Sequence, residues 1–223
     1  ILYTASGKTI NFTVRNITLT RGRAAFDSAG ERAANQGGAI YSGYRNTLTV
    51  ENVTFTHNSA RGERHPYHGG GAIAIDTTSI VTISGSTFID NTSPNGGAIN
   101  NLLSRLTIES STFRQNSATR ADPGGGGAIY NDAGRLTIRN SVIMENTSAN
   151  LGGGIFTWAH NVAEYSGKTV LFNSVVARNT ADDLGGGVWK GGAFIMDVVR
   201  STIAENITKQ AGGGLAGTGP GAN

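Results

Sequence analysis

Acid–base chemistry is the first thing this chain's ionisable residues suggest. One position, just before a recurrent Asn, reads His57, Asp90, Gln115, Glu145, Arg178 and Glu205 in successive copies. Glycoside hydrolysis needs two carboxyl groups about 5–10 Å apart, which makes Asp90, Glu145 and Glu205 the residues to weigh for catalysis. Asp76, Asp132 and Glu164 stand elsewhere with no evident partner. His65-Pro66-Tyr67-His68 offers two imidazoles three positions apart, with Glu63 nearby, a weak ligand set for a metal. With no Cys, disulfides and thiolate sites are excluded. No GGxGxD calcium repeat, nucleophile elbow or P-loop is present. A different chemistry is offered by an outward position reading Tyr41, Ala74, Asn100, Tyr130, Phe156 and Trp189, joined by Trp158, His160 and Tyr165 of the 157–168 insertion. Exposed aromatic rings present flat faces to sugars or partner proteins. Tyr41, Tyr130, Phe156, Trp158 and Trp189 are therefore the expected binding residues.

Repeats must position all of these. Gly-Gly-Ala-Ile occurs at 37–40, 70–73, 96–99 and 126–129, and Gly-Gly-Gly with Ile, Val or Leu follows at 152–155, 185–188 and 212–215. Each copy but the last is followed by an alternating stretch such as Leu48-Thr49-Val50, Val81-Thr82-Ile83 or Leu106-Thr107-Ile108, then by an apolar-x-x-Asn unit. Alternation with β-branched residues reads as strand. Repeats of 25–33 residues read as stacked coils. About three short strands per coil are expected. Stacking makes the pairing parallel, and parallel crossovers are right-handed. The fold expected is all-β, a right-handed parallel β-helix (β-solenoid) of about seven coils, roughly 35 Å long at the strand spacing. Its inward columns would include Phe55, Phe88 and Phe113. Asn58, Asn91, Asn116, Asn146, Asn179 and Asn206 would form an amide ladder at a turn. The Gly pairs suit a corner needing positive φ or close backbone approach.

GGA followed by Ile, Leu or Val, alternating with Phe-x-x-Asn, resembles the repeat of the polymorphic outer membrane proteins of the chlamydial type. The resemblance spans nearly the whole chain, although the last three coils carry GGG for GGA and Ile or Val for Phe. It implies a β-helix exported as an autotransporter passenger and acting in adhesion.

Composition narrows the function classes. The net charge of +3 is small and dispersed along the sequence, unlike a nucleic-acid footprint. No apolar run approaches the ~20 residues of a membrane span. One period throughout predicts a single domain over residues 1–223, and the lack of polar caps predicts a fragment of a longer chain or a subunit covered by neighbours. Uneven loops at 23–36, 61–68 and 117–125 carry balanced charges (Arg23, Arg32, Arg61, Arg64 and Arg120 with Asp27, Glu31, Glu63 and Asp122). The expected function is a non-catalytic bacterial cell-surface or secreted scaffold or adhesin. Its partners would be a host or matrix protein, a surface glycan, or the protein itself. No catalytic residue, metal or cofactor is expected. A filament or sheath subunit, and a carbohydrate-binding or polysaccharide-degrading β-helix, are the alternatives.

Overall fold

In the computed structural model the described residues are 2–4, 9–24, 35–61, 68–121, 124–159, 167–192 and 195–219. Every described strand pairing is parallel, and the strands fall into four sheets. The first sheet has eight strands, Leu2–Thr4, Ile40–Ser42, Ile73–Ile75, Ile99–Leu102, Ile129–Asp132, Ile155–Ala159, Val188–Gly192 and Leu215–Gly217. The second has seven, Asn11–Arg15, Thr47–Glu51, Ile80–Ser84, Arg105–Glu109, Arg135–Arg139, Lys168–Phe172 and Ile195–Val199. The third stacks the apolar-x-x-Asn units, from Thr18–Thr20 through Thr87–Ile89 to Thr202–Ala204. One strand from each sheet makes a coil, and successive coils pair strand over strand. This is a right-handed parallel β-helix.

The fourth sheet departs from the expected three strands per coil. It is built of two-residue strands directly after the ladder Asn, such as Ser59–Ala60, Thr92–Ser93 and Ser117–Ala118. Two residues are too short to show alternation, so no periodicity marks them.

The core follows from the alternation. Leu48, Val81, Leu106 and Leu136 stand in register, as do Val50, Ile83, Ile108 and Ile138, and all are fully buried. Phe55, Phe88 and Phe113 stack with ring centroids 4.6 and 4.5 Å apart and planes within 7°. Parallel rings at this distance are what one strand spacing imposes on identical residues in identical rotamers. Thr169 interrupts the Leu column in the sixth coil, where its hydroxyl lies 3.0 Å from that of Thr157.

The two glycines of each pair have different jobs. Gly96 adopts φ +59°, which an L side chain rarely adopts. A Cβ on Gly97 would lie 2.2 Å from the Gly127 carbonyl oxygen of the next coil and 2.5 Å from the Ser117 nitrogen. The first glycine turns the corner, and the second admits the neighbouring backbone.

Candidate functional site

The column with acid–base potential sits on a left-handed corner. His57, Asp90, Gln115, Glu145, Arg178 and Glu205 all have φ between +53° and +57°. Single αL residues are strained for anything but Gly, Asn or Asp. Here each precedes an Asn whose ladder bonds hold the corner, and its own side chain projects outward. The side chains answer one another along the stack. His57 Nε2 lies 3.7 Å from Asp90 Oδ2. Glu145 accepts from Arg114 Nε at 2.8 Å and lies 3.5 Å from Arg178 Nε, and Arg178 reaches Glu205 at 3.7 Å. The hydrogen bond from Arg114 is the main cause holding the Glu145 carboxyl below its usual range; desolvation opposes it, and the charges of Arg114 and Arg178 add to it. A carboxyl held low stays ionised at neutral pH and is unsuited to donate a proton. Asp90, Glu145 and Glu205 are two coils apart, about 10 Å at the strand spacing, which is wide of the ~5–5.5 Å of a retaining pair and at the outer limit of the ~6.5–9.5 Å of an inverting one.

The aromatic column is not exposed, contrary to expectation. Tyr41, Tyr130, Phe156 and Trp189 are 4–6% accessible. They do project outward from the first sheet, in register with Ala74, Asn100 and Ala216. The segments entering each Gly pair fold over them. Leu151 and Leu184 pack on the rings, a Cβ on Gly125 would touch the Phe156 ring at 2.7 Å, and Asn35, Gln36 and Asn95 are buried nearby in sequence. Tyr130 stacks on Phe156 at 4.5 Å and Phe156 on Trp189 at 4.7 Å. Trp158, half-buried, stacks against Trp189 at 5.8 Å. The rings form a second small core outside the coil.

The same face brings together two carboxylates that sequence reasoning left in loops. Asp132 ends a strand of the first sheet, in register with Leu102 and Trp158. Asp76 directly follows Ile75, which pairs with Asn101, so Asp76 takes the Leu102 position one coil earlier. Both are 7% accessible, and Tyr41 Oη donates to Asp76 Oδ2 at 2.8 Å. The signal was the alternation Tyr130-x-Asp132, which places both side chains on one face. Glu164, His160 and Tyr165 lie outside the described residues, as do His65, Glu63, Arg64, Asp27, Glu31, Arg32 and Asp122. Among the described residues no three His, Cys, Asp or Glu side chains cluster as a metal site would require.

Polar ladders hold these faces in place. From Asn58 to Asn206 each Nδ2 donates to the Oδ1 of the next ladder Asn at 2.9–3.0 Å. Its second hydrogen goes to a backbone oxygen of the preceding coil, as from Asn116 to Phe88 at 3.0 Å. A serine ladder, missed in the sequence, runs beside it. Ser86, Ser111, Ser141, Ser174 and Ser201 each accept the backbone N–H of the equivalent residue one coil before, at 3.1 Å. Each also donates to the carbonyl two residues upstream. Its sequence signal is a Ser or Val two positions before the apolar residue of apolar-x-x-Asn. A third, inward column joins Asn101 to Asn131 at 2.6 Å and Asn131 to Thr157 at 3.2 Å.

Residues 2–170 match the family model described as the right-handed beta helix region. No curated protein and no solved structure matches the chain.

Proposed function

Starting from the premise that the chain belongs to the right-handed beta-helix family, we infer that it serves as a non-catalytic surface scaffold of the adhesin kind, presenting binding faces on a stiff rod. The observation that carries this reading is the continuous asparagine ladder, which ties coil to coil through buried, charge-free hydrogen bonds. A rod stiffened in this way holds loops and faces at fixed spacing, as a passenger resembling the polymorphic outer membrane protein repeats would need. The ion pairs around Glu145 support the same reading, because they commit an exposed carboxylate to structure.

The test couples attachment to catalysis. Beads carrying the protein are presented to extracellular-matrix proteins and to surface glycans, and polysaccharide mixtures are assayed for new chain ends. Attachment without new ends is the expected result. New ends that disappear in Asp76→Asn or Asp132→Asn would replace this reading with an enzymatic one.

A further inference from the structure

The basic residues look dispersed in the sequence, yet the fold gathers several on the outer face of the second sheet. Successive strands there read Arg-Leu-Thr-Ile-Glu (Arg105–Glu109), Arg-Leu-Thr-Ile-Arg (Arg135–Arg139) and Lys-Thr-Val-Leu-Phe (Lys168–Phe172). Leu and Ile of the first two point inward, so the outer face of these three strands carries Arg105, Arg135, Arg139 and Lys168 against Glu109, with Asp197 on the following strand beside Lys168 and Glu51 two strands before Arg105. Arg105 pairs in register with Arg135. Lys168 takes the same position one coil on, as the next pair, Leu136 with Thr169, requires. The three cations therefore rise in one line at about 4.8 Å per step. Like charges directly opposite on neighbouring strands repel.

Other cations on the rod, and Lys168 of the line itself, are answered internally. Arg114 and Arg178 meet Glu145, and Lys168 reaches Asp197 at 2.7 Å. Arg105 and Arg135 are exposed, and among the described residues no carboxylate lies within ion-pair distance of either. Beside the line stand the hydroxyls of Thr107 and Thr137, also in register. At the far edge Arg139 and Arg200 flank the half-buried Phe172 ring at 5.4 and 5.9 Å. The face thus offers unpaired guanidinium groups in series, hydroxyls next to them, and a ring already occupied by cations.

We propose that this face binds an anionic polysaccharide lying along the rod axis, its acidic groups meeting Arg105 and Arg135 in successive coils and its hydroxyls meeting Thr107 and Thr137. The proposal rests on the surface-scaffold reading and names its ligand class. Guanidinium pairs carboxylate and sulfate equally well by bidentate hydrogen bonds, so either acid suits the face. Single-stranded nucleic acid is disfavoured, because it needs free aromatic platforms for its bases, and Phe172 lies between two guanidinium groups.

The experiment measures binding of the whole chain at 150 mM salt to heparin (sulfated), polygalacturonate (carboxylated), dextran (neutral) and single-stranded DNA, for wild type, Arg105→Ser/Arg135→Ser and Arg105→Glu/Arg135→Glu. Binding to at least one anionic glycan and not to dextran is expected. It should weaken at least fivefold in the serine variant, be lost in the glutamate variant, and fall as salt rises. Retention of wild type by heparin alone or polygalacturonate alone assigns the acid. Three results would overturn the proposal: no retention of wild type on either anionic glycan, equal retention of the variants, or tighter binding to DNA than to both glycans. Bead attachment persisting in the variants would reject this face while leaving the scaffold reading standing. Both arginines are exposed, so unchanged thermal unfolding of the serine variant serves as the folding control.

Discussion

Replacing Ile75 with asparagine should do far less harm than the same change elsewhere in the core. Ile75 stands between Ser42 and Asn101 in one inward column of the first sheet. Beyond Asn101 the column is polar and connected, through Asn131 to Thr157 and on to Thr169. On the other side it is broken: Asn101 Oδ1 and Ser42 Oγ are buried without a hydrogen-bond partner, and Ile75 can supply none. An Asn at 75, in the orientation of Asn101, would donate from Nδ2 to Asn101 Oδ1 and accept from Ser42. Losing the buried isoleucine costs ~1.5–3 kcal/mol of transfer free energy, and the smaller side chain adds about 1 kcal/mol for imperfect packing. Relieving two buried unsatisfied groups returns ~1–3 kcal/mol each. The balance runs from a loss of about 2 kcal/mol to a gain of about 3 kcal/mol relative to wild type. Ile108, between Ile83 and Ile138 in register, is the control, since Ile108→Asn gives up the same packing and buries an amide with no partner, at about 5 kcal/mol or more. Urea unfolding followed by far-ultraviolet circular dichroism compares the two. A loss in Ile75→Asn as large as in Ile108→Asn would refute the idea that the polar column is interrupted at Ile75.

Phe88→Ala should destabilise by ~3–5 kcal/mol in the same assay, since it removes the middle ring of a fully buried stack; a near-neutral result would contradict that packing. Asn116→Ala should lose at least about 3 kcal/mol, because the Asn91 backbone N–H, the Asn91 side-chain amide and the Phe88 carbonyl each lose a partner. Gly97→Ala puts a methyl group against the Gly127 carbonyl and should open the stack between those coils, read as new protease cleavage there; an intact digestion pattern would speak against the close approach. Glu145 has a depressed folded-state pKa. Its contribution to stability is therefore present above the ordinary carboxylate value of 4.5 and lost as pH falls through the folded value. Glu145→Gln should show a shallower fall in Tm below that pH, small because the pair is exposed.

Much of this architecture can be read from residue types, because every coil repeats the same solution. Alternation in Leu48-Thr49-Val50 and its copies states which side chains enter the core, and the interval between ladder asparagines states how far apart stacked residues lie in sequence. What escaped depends on neighbours that the sequence keeps apart. The serine ladder looks like turn residues until Ser86 is seen accepting from Val53 a coil earlier. The burial of Tyr130, Phe156 and Trp189 requires knowing that the segments before the Gly pairs double back across them. Asp76 and Asp132 acquire a common face only through the register of the first sheet. Charge patterning suffers most: Arg105 and Arg135 stand 30 positions apart in the chain and one strand apart in space.

The asparagine ladder also has a direction. From Asn58 to Asn206 every amide-to-amide bond runs the same way, Nδ2 donating to the Oδ1 of the coil on the C-terminal side, and every strand runs the same way as its neighbours. The two ends of the stack are therefore chemically unlike, one presenting acceptors where the other presents donors. A two-fold symmetric dimer formed end against end would oppose like with like and reverse the strand direction, so it cannot extend the ladder. Only a heterologous, translational contact can, and such contacts generate open fibres, not closed oligomers. Closed symmetry, if this protein adopts it, has to be built on the sides of the rod.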